Sequence, residues 1–169
     1  MPKLIRNREL TVDSWLLLEG DPATAVPAGD VIVPLAVWLG QRAALAARDG
    51  RTGVWLAPQE DPAALADDLD RLPLVAVSFP KFSDGRGFST ARLLRERYRF
   101  KGELRAVGDV LRDQLLFLAR CGFDAFALRD DQDAEAALAA FDDFTEAYQG
   151  GVDQPVPLFR RRLAAGSSR

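Results

Sequence analysis

Leu74-Val75-Ala76-Val77-Ser78-Phe79 is an apolar, β-branched run of strand length, followed by a helical stretch from Ser89 to Tyr98 and a second short run, Leu104-Arg105-Ala106-Val107. Two buried strands joined through a helix lie parallel, because each crossover returns the chain to the same end of the sheet. The same alternation extends in both directions. Upstream, Val54 to Ala57 is a strand, and Asp61-Pro62 supplies a cap and first-turn proline for a helix to about Asp70. Downstream, Asp109 is expected to cap a helix from Val110 to Arg120, Phe123 to Leu128 is a fourth strand, and Asp133 caps a last helix to about Tyr148. Ala134, Ala137, Leu138, Phe141, Phe144 and Tyr148 form its apolar stripe, opposite Glu135, Asp142, Asp143 and Glu146.

Before these units, Val31-Ile32-Val33 leads into an amphipathic helix from Leu35 to Arg48, with Pro34 in its first turn. Leu4-Ile5 and Val12 to Leu18, on either side of Asn7-Arg8, predict an antiparallel hairpin. The fold class is therefore α/β, with a parallel sheet of about four or five strands and an N-terminal β-hairpin. Strand order leaves no local trace, so the sheet is either open and doubly wound or half-barrel-like. Arg105 interrupts the third strand and is expected at a sheet edge or reaching out from the strand's start. Residues 1–150 read as one domain. After Gly150-Gly151, residues 151–169 read as an extended basic tail ending in disorder.

Composition removes much chemistry. The 169 residues contain no histidine and one cysteine, Cys121. They offer no Ser-His-Asp triad, no zinc ligand set, no His-ligated haem and no iron–sulfur cluster. Cys121, in a short turn before Gly122, is expected to be packed and inert. A net charge of −3 argues against nucleic acid. The first ten residues carry charges where a signal peptide needs an apolar core, and the longest apolar stretch, Val31 to Leu39, is too short to span a membrane. A cytoplasmic protein without membrane contact is expected.

Ligands of parallel sheets bind beyond the carboxyl ends of the strands, and three predicted loops open there. The longest, Pro80 to Thr90, interleaves Phe82 and Phe88 with Lys81, Asp84 and Arg86, and Gly85 and Gly87 flank Arg86. Lys81, Asp84, Gly85, Arg86, Gly87, Ser89 and Arg92 thus form a candidate site for a small anion at a helix start. The bland reading is a structural loop in which Asp84 and Arg86 pair with each other. Gly85 to Thr90 echoes G-x-G-x-x-G, but Thr90 replaces the third glycine and five residues separate the strand from the first, so classical dinucleotide binding is not expected. Asp109, Arg112 and Asp113 follow the next strand. They could divide proton-transfer roles or hold a cation, although helix capping alone explains Asp109. The third loop is Arg129-Asp130-Asp131.

Phe79 to Arg95, Gly102 to Gln114 and Arg120 to Phe126, with Val33 to Trp38 upstream, closely resemble the uncharacterised bacterial domain-of-unknown-function family nine-three-four. That family is often labelled a probable oxidoreductase of sulfite reduction and is typically encoded beside assimilatory sulfite reductase. A sulfite reductase needs sirohaem and an iron–sulfur cluster, which this chain cannot ligate. The resemblance therefore implies an accessory protein with a sulfite reductase hemoprotein as partner. It carries over no catalytic residue. The rival expectations are a small α/β enzyme or anion-binding protein using the Lys81–Arg86 loop, and a scaffold whose loop serves a homo-oligomer.

Overall fold

A computed structural model describes residues 3–143 and 147–166. Eight strands form one sheet: β1 (Lys3–Arg6), β2 (Glu9–Val12), β3 (Leu16–Leu17), β4 (Val31–Pro34), β5 (Thr52–Leu56), β6 (Leu74–Phe79), β7 (Glu103–Gly108) and β8 (Ala125–Phe126), in the order β2-β1-β8-β7-β6-β5-β4-β3. The run from β3 to β8 is parallel, and β1 closes on β8 antiparallel. Consecutive parallel strands are neighbours throughout. The order never reverses, so the sheet has no doubly wound switch point and follows the half-barrel alternative.

The connection between β2 and β3 requires the sheet to curl. These strands lie at opposite edges, which a flat sheet would separate by about 34 Å at ~4.8 Å per strand. The chain from Val12 to Leu16 can span at most about 14 Å. Residues 13–15 therefore cross the concave face as a strap, and the sequence run from Val12 to Leu18 is two strands rather than one. Asp13 breaks the run: one carboxylate oxygen accepts from Trp15 N and the other from Arg105 Nη1. Beyond the strap, Leu16 N and Leu18 N donate to Asp30 O and Ile32 O, and Trp55 Nε1 donates to Leu18 O.

A hairpin forms as expected, with Arg6 opposite Glu9 and a two-residue turn at Asn7-Arg8, but its second arm is Glu9–Val12 rather than the run from Val12 to Leu18. Both turn residues have left-handed φ, 52° and 65°, the twist that suits a tight hairpin.

Alternation along the strands divides the core. Val33, Leu56, Val77, Phe79, Leu104 and Ala106 face the convex, helix-covered side. Ile32, Leu74, Ala76 and Val107 face the concave side, where Trp15, Trp55 and Ala127 pack on them. The helices are α1 (Leu35–Ala47), α2 (Arg86–Arg92), α3 (Leu115–Arg120), α4 (Ala134–Ala137) and α5 (Leu158–Gly166).

Several helices are shorter than the apolar patterns predict. The expected helix after Asp61 is a 3₁₀ turn, Pro62–Leu65, followed by further turns; Asp61 still accepts from Ala63 N. Buried Asp68 accepts from Trp38 Nε1 at 2.8 Å and pairs with Arg42 at 2.9 Å, fixing this segment by tertiary contacts. Helix α2 starts at Arg86, not Ser89, and widens into a π turn at Leu93–Arg97. Arg95 within that turn reaches the carbonyls of Phe100, Gly102 and Gly122 and the Asp124 carboxylate. Of the fourth predicted strand only Ala125–Phe126 is regular strand, with Asp124 N and Ala127 N bonded to Leu104 O and Ala106 O on either side. Asp133 caps α4 as expected, but 3₁₀ geometry takes over at Leu138–Asp142. Phe144 of the predicted stripe and Glu146 of the opposite face lie outside the described residues, and Tyr148 is exposed.

The tail is not extended throughout. Val152 N docks on Arg120 O, and Leu158–Gly166 is helical. The final three residues of the expected disordered end lie outside the described set. Among the described residues no helix is long and apolar enough to cross a membrane.

Candidate functional site

Leu17 of β3, Ile32 of β4 and the carboxyl end of β7, with the segment after β8, open onto one cavity of about 410 Å³ at the mouth of the half-barrel. Its wall includes Asp13 from the strap, Arg105 and Gly108 from β7, and Arg129, Asp130 and Gln132 from the third loop. Arg105 decides its chemistry. It is neither at an edge nor at the strand's start, because β7 lies between β6 and β8 and the side chain is only 1% exposed. A guanidinium in a protein interior requires charge partners. Nε donates to Glu103 at 2.8 Å and Nη1 to Asp13 at 2.8 Å. Nη2 is 2.7 Å from Glu103 Oε1 but makes no hydrogen bond of acceptable angle. The buried group thus keeps donor capacity.

Arg129 closes the outer rim. It grips Asp131 through Nε and Nη2 and donates from Nη1 to Asp109. Its hydrogen bonds to Asp131, then to Asp109, push its pKa upward, and Arg129 lowers that of Asp131. Asp109 does not cap a helix, which corrects the sequence expectation. The chain is extended at Leu111, and a 3₁₀ turn over Arg112–Gln114 precedes α3. The freed Asp109 carboxylate accepts from Phe82 N, and Gln114 Nε2 donates to Phe82 O. Together they latch the long loop to the end of β7.

The ten residues predicted as a site are not brought together. Asp84 and Arg86 form the bland pair: Nε and Nη2 of Arg86 donate to the two Asp84 oxygens at 2.9 and 2.7 Å. Lys81 stands exposed with no partner among the described residues. Gly85 precedes α2, and Gly87 packs it down, since a Cβ there would meet the Phe79 ring at 2.6 Å. Ser89 and Arg92 line a separate cavity on the helix side beside Cys121, and Arg92 pairs with Glu96. Arg112 turns to Asp143, while Asp113 is 88% exposed and only 3.5 Å from Arg112. With both Asp109 oxygens engaged, Asp109 and Asp113 do not make a cation site. None of the ten lines the mouth cavity.

Residues 53–159 match a family described as bacterial protein of unknown function, DUF934. The chain belongs to the DUF934 family. The match spans β5 to β8 and all three loops at their carboxyl ends, so Arg105 and Arg129 lie inside it and Asp13 outside. No curated protein matches the chain.

Two titrations in this DUF934 protein follow from the contacts. The Arg86 side chain hydrogen-bonds Asp84 and lowers its pKa to about 2 from an ordinary 3.8. A depressed folded value means the pair contributes above the ordinary value and is lost as pH falls through about 2. Carbon NMR of the Asp84 carboxyl should give that midpoint, returning toward 3.8 in Arg86→Ala; identical midpoints in both proteins would refute the pairing. Burial pushes the Cys121 thiol up, against the smaller pull of Arg92 and Arg120. Ellman's reagent at neutral pH should find no reactive thiol until the protein is unfolded. Rapid reaction of the native protein would mean that Cys121 is not packed.

Proposed function

We propose that this protein is an accessory protein of assimilatory sulfite reduction, working with a sulfite reductase hemoprotein rather than itself carrying sirohaem or an iron–sulfur cluster. Composition carries the reading: the chain has no histidine, and its single cysteine is 4% exposed. Four thiolates for a cluster cannot come from such a chain. The resemblance to a family encoded beside the reductase supplies the partner. The test is to mix the purified protein with the hemoprotein and follow both co-elution and sulfite turnover. A complex that changes turnover supports the accessory role. A hemoprotein that neither binds the protein nor changes rate in its presence refutes it.

A second reading is favoured by the half-barrel mouth. Arg105, a buried guanidinium on the cavity wall whose Nη2 makes no hydrogen bond, supports a protein that binds a sulfur oxyanion or phosphorylated ligand at the strand ends. Any ligand of the native state alone raises apparent stability. Thermal melts with sulfite, sulfate and phosphate should then show a saturable rise with at least one of the three. Flat melts for all three ions would exclude this reading while leaving the accessory role to the binding experiment.

A further inference from the structure

At the opposite end of the half-barrel, α1 and the segment from Asp68 to Pro73 enclose a second cavity, of about 420 Å³, beside Thr52 at the start of β5. Its floor is carbon, Trp38, Leu45 and Pro73, and Ala46 stands on the exposed wall. Four arginines, Arg42, Arg48, Arg51 and Arg71, share the wall with a single carboxylate, Asp68. In a chain of net charge −3 this is a concentration of positive charge against the overall balance.

Two of the four arginines are neutralised. Arg42 pairs with buried Asp68 at 2.9 Å. Arg51 grips Asp30 through Nε and Nη2 and lowers its pKa. Arg48 and Arg71 are not. Arg48 donates only to neutral oxygens, the carbonyls of Pro27, Gly29 and Arg51 and the Thr52 hydroxyl. Those bonds fix its guanidinium at the cavity; the nearby Asp30 carboxylate feels its charge but is ion-paired with Arg51. Arg71 is exposed and has neither a hydrogen-bond nor an ion-pair partner for its side chain among the described residues. One rim arginine is thus prepositioned and another is free to close on a ligand, above a floor of indole, leucine and proline carbon.

We infer that this cavity binds an organic anion, a compact apolar or aromatic body carrying a phosphate, sulfonate or carboxylate head, with the head between Arg48 and Arg71 and the body on Trp38, Leu45 and Pro73. Charge-assisted hydrogen bonds from two guanidiniums hold the head, and removal of the body from water adds the apolar contribution. The site is separate from the mouth, so its occupancy does not depend on the reading of function given above.

Calorimetric titration of the full chain with phenyl phosphate, inorganic phosphate and benzyl alcohol separates head from body. Phenyl phosphate should bind saturably at one site, inorganic phosphate more weakly and benzyl alcohol not at all. Added salt should weaken binding, because both uncompensated charges are near solvent. Arg71→Ala should weaken phenyl phosphate about tenfold, equal to about 1.4 kcal/mol. Ala46→Glu, which adds a negative charge to the exposed wall, should do the same by repulsion. Both positions are exposed and without side-chain partners, so the ligand-free variants should melt like the parent. No saturable phenyl phosphate binding, or binding unchanged in both variants, overturns the inference. Inorganic phosphate binding as tightly as phenyl phosphate overturns the assigned ligand class.

Discussion

Arg105→Ala should lower the free energy of unfolding by about 3 kcal/mol or more, the largest loss expected for any charged residue in this protein. The substitution removes the cation between two carboxylates, leaving Glu103 with only a longer contact to half-exposed Arg6 at 3.6 Å and Asp13 with no ion pair among the described residues. Asp13 and Glu103 are only 13% and 15% exposed, so water replaces the guanidinium poorly. It also removes the tie that fastens the strap to β7, since Asp13 reaches the sheet through Nη1 of Arg105. The indole of Trp15, two residues along, packs on the concave cluster and reports whether the strap stays seated. Urea unfolding should therefore show a lower midpoint, and Trp fluorescence in native buffer should shift to the red. Replacing the three members together, as Asp13→Leu, Glu103→Leu and Arg105→Met, should recover most of the stability, because an apolar set avoids the desolvation of three charges. If Arg105→Ala unfolds within about 1 kcal/mol of the parent, the cluster is hydrated in solution and the buried-guanidinium account fails.

The same residue marks what was legible in the sequence. The strands at 74–79 and 103–108 are where period and composition put them, because each has apolar residues on both faces of a covered parallel sheet. A charge in the middle of such a run signals either an edge or a partner from elsewhere. One partner, Glu103, is two residues away on the same strand face, but the other, Asp13, lies 92 positions away in sequence, so no window of local pattern could place it against Arg105. Strand order was equally hidden, although the short connection between β2 and β3 contains the curl once their places at opposite edges are known. The long loop after β6 was legible as a loop, and the Asp84–Arg86 pair was legible because its members are two residues apart. Asp109 was not, because a helix cap and a latch on a distant backbone N–H both favour the same residue type. Its role depends on how β7 ends.

That ending rests on Gly108, and Gly108→Ala is expected to cost about 2–5 kcal/mol, the sum of left-handed strain of about 1–2 and overpacking of about 1–3. Gly108 has φ +96°, and a Cβ there would sit 2.5 Å from Phe79 O. The obstacle is a backbone oxygen inside the β6–β7 ladder, so no side-chain rotation relieves it. That oxygen also accepts from Asp109 N at 2.7 Å, and Val110 N turns back onto Gly108 O at 2.9 Å. The glycine therefore sets the direction in which Asp109 leaves the sheet. An alanine that pushes β6 and β7 apart should lengthen the Asp109 contacts to Phe82 N and Arg129 together, releasing the loop latch and the rim of the mouth in one step. Hydrogen exchange at the Phe82 amide should accelerate more than at β6 amides remote from Gly108, and the denaturation midpoint should fall. Asp109→Asn serves as the control, because it weakens the latch without touching the backbone. Faster Phe82 exchange in Asp109→Asn with little loss of global stability, against loss of both in Gly108→Ala, would separate the latch from the turn that aims it. Parent-like stability and exchange in Gly108→Ala would mean that the strand end can reshape around a side chain, and the account of how Asp109 is positioned would fall with it.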